Sequence, residues 1–156
     1  MQKLRYRFDS LDERLTAFMA RYGITLLRVS VGVVFLWFGF LKFFPGLSPA
    51  EDLATRTTQV LSFGLVPPPA ALVILAAWEC AVGIGLILGV FLRATLLLLW
   101  LQMIGTIAPL ILFPQEVFNH FPYAPTLEGQ YIIKNLVLAS AGIVVGATVR
   151  GARLAL

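Results

Sequence analysis

Charged and polar residues inside long apolar stretches are the positions in this chain that could do chemistry. An ionisable residue within a membrane-spanning helix is costly, so it normally faces other protein or a water-filled cavity. One carboxylate against three cations leaves surplus positive charge, which suits a small anion or the polar head group of a quinone. We therefore predict an outward-facing intramembrane ligand site built from six residues: Arg28, Lys42, Glu79, Gln102, Lys134 and Asn135.

Glu79 is the one acidic residue in these apolar stretches, so its partner decides what the site can do. At ~1.5 Å per residue, Glu79 lies ~15 Å below the outer surface, Lys134 ~6 Å below it and Arg28 ~9 Å from the inner surface. These depths predict that Glu79 pairs with Arg28 or Lys134, while Lys42 snorkels to the outer headgroups. A single ion pair that only fastens two helices together remains the structural alternative.

Other kinds of site have little support in the sequence. His120 is the single histidine and Cys80 the single cysteine, whereas a structural zinc site takes four protein ligands and a catalytic one takes three. A disulfide within the chain would need a second cysteine. There is no Ser-His-Asp pattern and no glycine-rich nucleotide turn, so we assign no catalytic or metal-binding residue and expect no encoded cofactor. A quinone remains the candidate cofactor.

The elements that must position the six residues are four apolar stretches. Each is close to the ~20 residues that a helix needs to cross a ~30 Å hydrocarbon core. The chain is 59% hydrophobic and 13% charged, against ~45–50% and ~25% in soluble domains. We predict an all-α integral membrane protein, a four-helix transmembrane bundle with spans at about 22–44, 69–91, 93–113 and 130–149.

The distribution of lysine and arginine predicts the orientation of the bundle. These residues cluster in the first 21 positions, at Arg93 in the turn between the second and third spans, and at the C-terminal end. The positive-inside rule then places both termini in the cytoplasm. Residues 1–21 are predicted to form a cytoplasmic amphipathic segment, and residues 151–156 a cytoplasmic tail. Because orientation accounts for the sequence pI of about 9.6, nucleic acid is not an expected partner; the lipid bilayer is.

Two features are predicted on the outer side. Residues 49–63 have the pattern of an amphipathic helix on the surface, and Ser48 and Glu51 have the spacing of a capping box. Residues 114–129 form an aromatic and proline-rich loop, which we expect to pack over the mouth of the bundle as a lid. Pro109 should kink the third span near Gly105.

Three stretches of this sequence resemble the DoxX-like family, close to its YkgB-type branch. They are RVSVGVVFLWFGFLKFFPG in the first span, WECAVGIGLILGVF in the second and EGQYIIKNLVLASAGIVVGA in the fourth. The likeness extends over Leu27 to Arg150. It implies a four-helix bundle in the bacterial cytoplasmic (inner) membrane and an association with redox chemistry, since founding members are subunits of a thiosulfate:quinone oxidoreductase and relatives are linked to oxidative stress.

Together these observations predict a redox- or oxidative-stress-associated membrane subunit, non-catalytic or accessory to a quinone-linked oxidoreductase. Its expected partners are a quinone or small anion and a redox protein, and a homodimer is an open alternative. A small proton-coupled permease that uses Glu79 as its titrating group is a second hypothesis. A membrane scaffold or receptor without a small ligand is a third.

Overall fold

The protein is almost entirely helical, as the sequence predicts. The computed structural model describes the backbone of residues 2–151 and the side chains of residues 11–151. Seven helices and one short antiparallel pair of strands follow in this order: α1 Gln2–Leu41, α2 Glu51–Leu61, α3 Pro68–Leu88, α4 Leu92–Ile107, α5 Pro109–Leu112, α6 Pro114–Val117, β1 Phe118–His120, β2 Ala124–Pro125 and α7 Leu127–Thr148.

Four helical stretches are long and apolar enough to cross a membrane. They are Leu11–Leu41, Pro68–Leu88, Leu92–Leu112 and Leu127–Thr148, so the prediction of an all-α four-helix membrane bundle is confirmed. The cytoplasmic position of both termini stays a prediction, and all but the first residue of the predicted tail 151–156 lies outside the described residues.

The four long helices form a closed ring in the order α1, α3, α4, α7. The most extensive contact joins α1 to α3, where glycines let the backbones approach closely. A Cβ added at Gly83 would meet the Leu36 backbone nitrogen at 2.5 Å, and one added at Gly32 would meet the Gly83 carbonyl oxygen at 2.9 Å. Any larger side chain at these positions would push α1 and α3 apart.

The interior of the ring is apolar. Leu99 and Val82 are fully buried there, and they belong to one continuous cluster with side chains from all four long helices. Val31 of α1 is 6% exposed and belongs to the same cluster. The polar residues described below therefore lie in a bundle whose interior is mostly apolar and closely packed.

The N-terminal segment is not a separate element. Residues 2–21 continue into the first span as one 40-residue helix, α1, because no proline or turn sequence interrupts them. At ~1.5 Å per residue such a helix is ~60 Å long, about twice the ~30 Å hydrocarbon core. Part of α1 must therefore extend beyond the bilayer or tilt strongly within it.

We call the end of the bundle that carries α2 the loop end, and the opposite end the terminal end.

The capping box predicted before α2 does not form. The Glu51 carboxylate instead accepts a hydrogen bond from the Gly46 backbone N–H at 2.9 Å, and the Ser48 hydroxyl turns to the Pro49 carbonyl. The predicted spacing is present, but Glu51 is used to close the preceding turn.

The third span is interrupted close to the predicted position. Helix α4 ends at Ile107 and α5 begins at Pro109, because proline has no N–H to donate to the preceding turn. The break falls at Ala108, three residues beyond Gly105. The segment that follows packs against α2 and α7 through Val117.

The segment between α5 and α7 is ordered and short. Thr126 caps α7 by accepting a hydrogen bond from the Gly129 N–H at 3.2 Å, and its hydroxyl donates to the Glu116 carbonyl at 2.8 Å. Val117 is fully buried in a small cluster with Leu53 of α2 and Ile132 of α7. These contacts fasten the segment onto the bundle, so that α7 begins at residue 127 rather than at 130.

Candidate functional site

Three polar side chains from three helices meet inside the bundle. The Lys42 ammonium, which follows α1 directly, lies 2.7 Å from Oε2 of Glu79 in α3. The Gln102 side-chain amide of α4 donates to Oε1 of the same carboxylate at 2.7 Å. We call Lys42, Glu79 and Gln102 the polar triad. It joins α1, α3 and α4 at one level of the bundle.

Local packing explains why these side chains meet. A Cβ added at Gly39 would lie 2.7 Å from the Glu79 Cβ and 2.9 Å from the Cys80 nitrogen, so a glycine at this position lets α1 rest directly on α3. On the other side of α3, the Trp78 indole donates to the Leu98 carbonyl of α4 at 3.0 Å. Both contacts flank Glu79 and fix its direction.

The triad is buried and its formal charges cancel. The side chains of Lys42 and Glu79 are 11% and 12% exposed. Both carboxylate oxygens of Glu79 accept a hydrogen bond, so the acidic group is satisfied. An ammonium group has three N–H donors, and that of Lys42 has one further contact, a long one of 3.5 Å to the Phe38 carbonyl. Lysine thus retains capacity for another acceptor.

The predicted partner of Glu79 was wrong. Lys42, which we expected to snorkel, forms the ion pair instead of Arg28 or Lys134. The depth estimate aligned the outer ends of the spans, whereas Gly39, two residues before the end of α1, lies against Glu79, eleven residues into α3. The close approach at Gly39 then brings Lys42 to the level of Glu79, where an opposite charge stabilises it better than hydrocarbon would.

Arg28 does not contact Glu79 and instead binds the C-terminal end of α3. Its guanidinium donates to the Leu86 carbonyl and, at 3.2 Å, to the Ile87 carbonyl. These are carbonyls at the C-terminus of α3, which carry partial negative charge and lack helical partners. Gly89 makes room for this contact, since a Cβ there would lie 2.6 Å from Arg28 Nη1. Leu86 is seven residues from Glu79, which corresponds to ~10 Å along a helix.

Lys134 and Asn135 on α7 do not join the triad either. The Lys134 side chain is exposed, and its ammonium lies 5.7 Å from the centre of the Tyr131 ring. Asn135 is half-buried and makes no hydrogen bond with Glu79 within the described part of the chain. The six predicted residues therefore divide into a triad and three residues apart from it. The three cations that motivated the prediction are therefore not gathered around one site.

A second polar cluster at the loop end was missed. Arg56 of α2 forms a two-pronged ion pair with Glu116, with Nη1 to Oε1 at 2.7 Å, and its Nε lies 2.9 Å from Asp52. Its guanidinium also stacks over the Phe113 ring at 5.2 Å. The hydrogen bond from Arg56 lowers the pKa of the Glu116 carboxyl. The spacing of Asp52 and Arg56 predicts their i, i+4 contact, but nothing local indicates Glu116.

Two depressions in the described surface lie away from the triad. One of about 680 Å³ lies at the loop end beside Leu110, Gln115 and Phe121. The other, of about 380 Å³, lies at the terminal end beside Phe91 and Arg93. Within residues 11–151, no group of three or more His, Cys, Asp or Glu side chains could hold a metal ion. The triad is thus a closed polar contact between helices.

Comparison with known proteins settles the family. The DoxX family model matches residues 23–115, which is more than half of the 156 residues. The chain belongs to the DoxX family. The match contains all three residues of the polar triad, whereas Lys134 and Asn135 lie beyond it. No curated protein and no solved structure matches this DoxX protein. Its assignment to the YkgB-type branch stays a prediction.

Proposed function

We propose that this DoxX protein is a redox-associated subunit of the bacterial cytoplasmic membrane, and that its polar triad receives a quinone head group or a small anion. The observation that carries the proposal is the convergence of Lys42, Glu79 and Gln102 from three apolar helices. Ionisable residues within spanning helices commonly mark ligand or proton pathways. The other three predicted residues are not needed for this site.

The hydrogen-bonding capacity of the triad fits such a ligand. The free donor of the Lys42 ammonium can bind a quinone carbonyl or an anion. Gln102 can release Oε1 of Glu79, which then accepts a hydrogen bond from a quinol hydroxyl. None of these side chains carries electrons, so the proposal gives the subunit an accessory role beside a redox partner protein. Access from the loop end requires the segment around Glu116 to move.

A scaffold role is the second candidate, and one specific observation favours it. Both oxygens of Glu79 already have partners, and the two depressions described above lie away from it. Polar contacts of this kind hold membrane helices together without a ligand. In that case the triad stabilises the bundle, and the protein acts through its surfaces.

Native mass spectrometry of the protein, extracted with its surrounding lipid, tests the two candidates. A bound quinone or anion in the wild type that is lost in Glu79→Gln and in Lys42→Met would support the ligand site. Lys134→Met is the matched control, because it removes an exposed lysine outside the triad, and it should retain the ligand. Folding of each variant is checked by its helical circular dichroism. Wild-type protein that carries only ordinary lipids would refute the ligand site and leave the scaffold role.

A further inference from the structure

One side of the N-terminal half of α1 is apolar from Leu11 onward and has no partner among the residues whose side chains the structure describes. Leu11, Leu15, Phe18 and Tyr22 are between 42% and 58% exposed, although the helix that carries them is continuous with the first span. The rings of Phe18 and Tyr22 pack against each other with centroids 4.9 Å apart. These residues form an apolar seam.

The spacing of the seam is that of a coiled coil. Successive members are four, three and four residues apart, and the sequence extends the alternation backward through Phe8 to Leu4. Alternating steps of three and four place residues at the a and d positions of a heptad, the seam along which two helices supercoil. Phe8, Leu15 and Tyr22 occupy a, and the other three occupy d. Lipid-facing helices need no such regularity.

The seam lies to one side of the face of α1 that packs on α3. On a regular helix of ~3.6 residues per turn, its centre lies ~80° around α1 from Gly32 and Gly39 on that face. The same side of α1 continues into the membrane through the exposed residues Val33 and Phe40. A neighbouring molecule in the same membrane can therefore reach the seam without disturbing the four-helix ring.

The charges beside the seam identify the partner and its direction. In this register Arg7, Arg14 and Arg21 all occupy position g, and Asp12 and Met19 occupy position e. In a parallel pair, each g residue meets the e residue five positions on in the other helix. This register places position 7 opposite position 12, an arginine opposite an aspartate, and position 14 opposite Met19. An antiparallel pair would instead oppose arginine to arginine, which is repulsive.

We propose that residues 4–22 of α1 bind the same segment of a second copy of this chain as a parallel two-stranded coiled coil. Two copies inserted with the same orientation carry these segments in parallel, which is the arrangement that the charges favour. Confinement to one membrane raises the effective concentration of the segments, so that three heptads suffice for pairing. The polar triads of the two copies remain separate.

Disulfide cross-linking in native membranes tests the proposal. In a Cys80→Ala background, Leu11→Cys and Leu15→Cys place a thiol at d and a. Ala20→Cys is the control, at position f, ~160° around the helix from the seam. We expect mild oxidation to give a dimer band several-fold stronger for both seam variants than for the control. Equal bands in all three variants, or none, would overturn the proposal and indicate that the seam lies against lipid headgroups.

A charge exchange provides a second test that does not depend on cysteine geometry. Arg7→Asp brings two acidic residues together across the parallel pair and should reduce the dimer band of Leu15→Cys several-fold. Adding Asp12→Arg restores opposite charges and should restore the band. If the double variant stays as weak as the single one, the parallel pairing is wrong.

Discussion

Removing one charge from the polar triad should destabilise the bundle far more than removing both. Lys42 and Glu79 are each nearly nine-tenths buried and lie 2.7 Å apart. Glu79→Gln leaves the ammonium without a counter-charge, and Lys42→Met leaves the carboxylate without one. Breaking a buried pair in this way costs ~3–5 kcal/mol. We expect values near ~3 kcal/mol, because Lys42 follows the end of α1 and can partly snorkel.

The double variant Lys42→Met with Glu79→Gln removes both charges and retains similar volumes. Replacement of a buried pair by uncharged groups is often close to neutral. The remaining loss is a hydrogen bond or two within the membrane, worth ~0.6 kcal/mol on average and ~1.7 kcal/mol at most. We therefore expect a total loss of ~1–2 kcal/mol, below that of either single variant.

Reversible unfolding in mixed micelles, followed by helical circular dichroism, measures these free energies. Lys134→Met is the control and should change the free energy of unfolding by less than ~0.5 kcal/mol, as surface substitutions usually do. If the double variant lost the sum of the two single losses, Lys42 and Glu79 would not be coupled, and the closed pair would not hold the helices together.

Two further predictions concern packing and pH. Gly39→Ala should destabilise the bundle by ~1–3 kcal/mol, because the added Cβ meets Glu79, whereas Gly105→Ala, with open space around it, should be neutral or stabilising in the same unfolding assay. Arg56 lowers the pKa of the Glu116 carboxyl. The pair therefore stabilises the loop end at pH values above the pKa of the unfolded carboxyl, which is near ~4.3. This stabilisation is lost as the pH falls through the pKa of the folded state. Amide protection factors around Glu116, which are corrected for the intrinsic exchange rate at each pH, should fall there in the wild type but be low at all pH values in Arg56→Gln; equal pH profiles would exclude the pair as the cause.

The overall architecture could be predicted because it depends on local properties. The length and hydropathy of each span are visible in the sequence, and so is the break before Pro109. The presence of Glu79 inside a span was equally visible. These features require no knowledge of which helices are neighbours.

The partners of the polar residues could not be predicted in the same way. Pairing depends on the relative height of α1 and α3, which the contact of Gly39 with Glu79 sets to within an ångström or two. The assumption that the outer ends of both spans lie at the same level was enough to exchange Lys42 for Arg28. Arg56 and Glu116 are 60 positions apart in the sequence, so no local sequence pattern indicates their contact.

The position of the polar triad along the chain has a consequence for biogenesis. Its last member is Gln102, so all three residues are synthesised before the 24 residues that separate Gln102 from α7. Because synthesis proceeds from the N-terminus, early segments can associate before later ones emerge. The costly charges of the first two spans can thus neutralise each other beside the translocon while the last helix is still on the ribosome. On this view α7 packs last, against helices in which the charges of Lys42 and Glu79 are already paired.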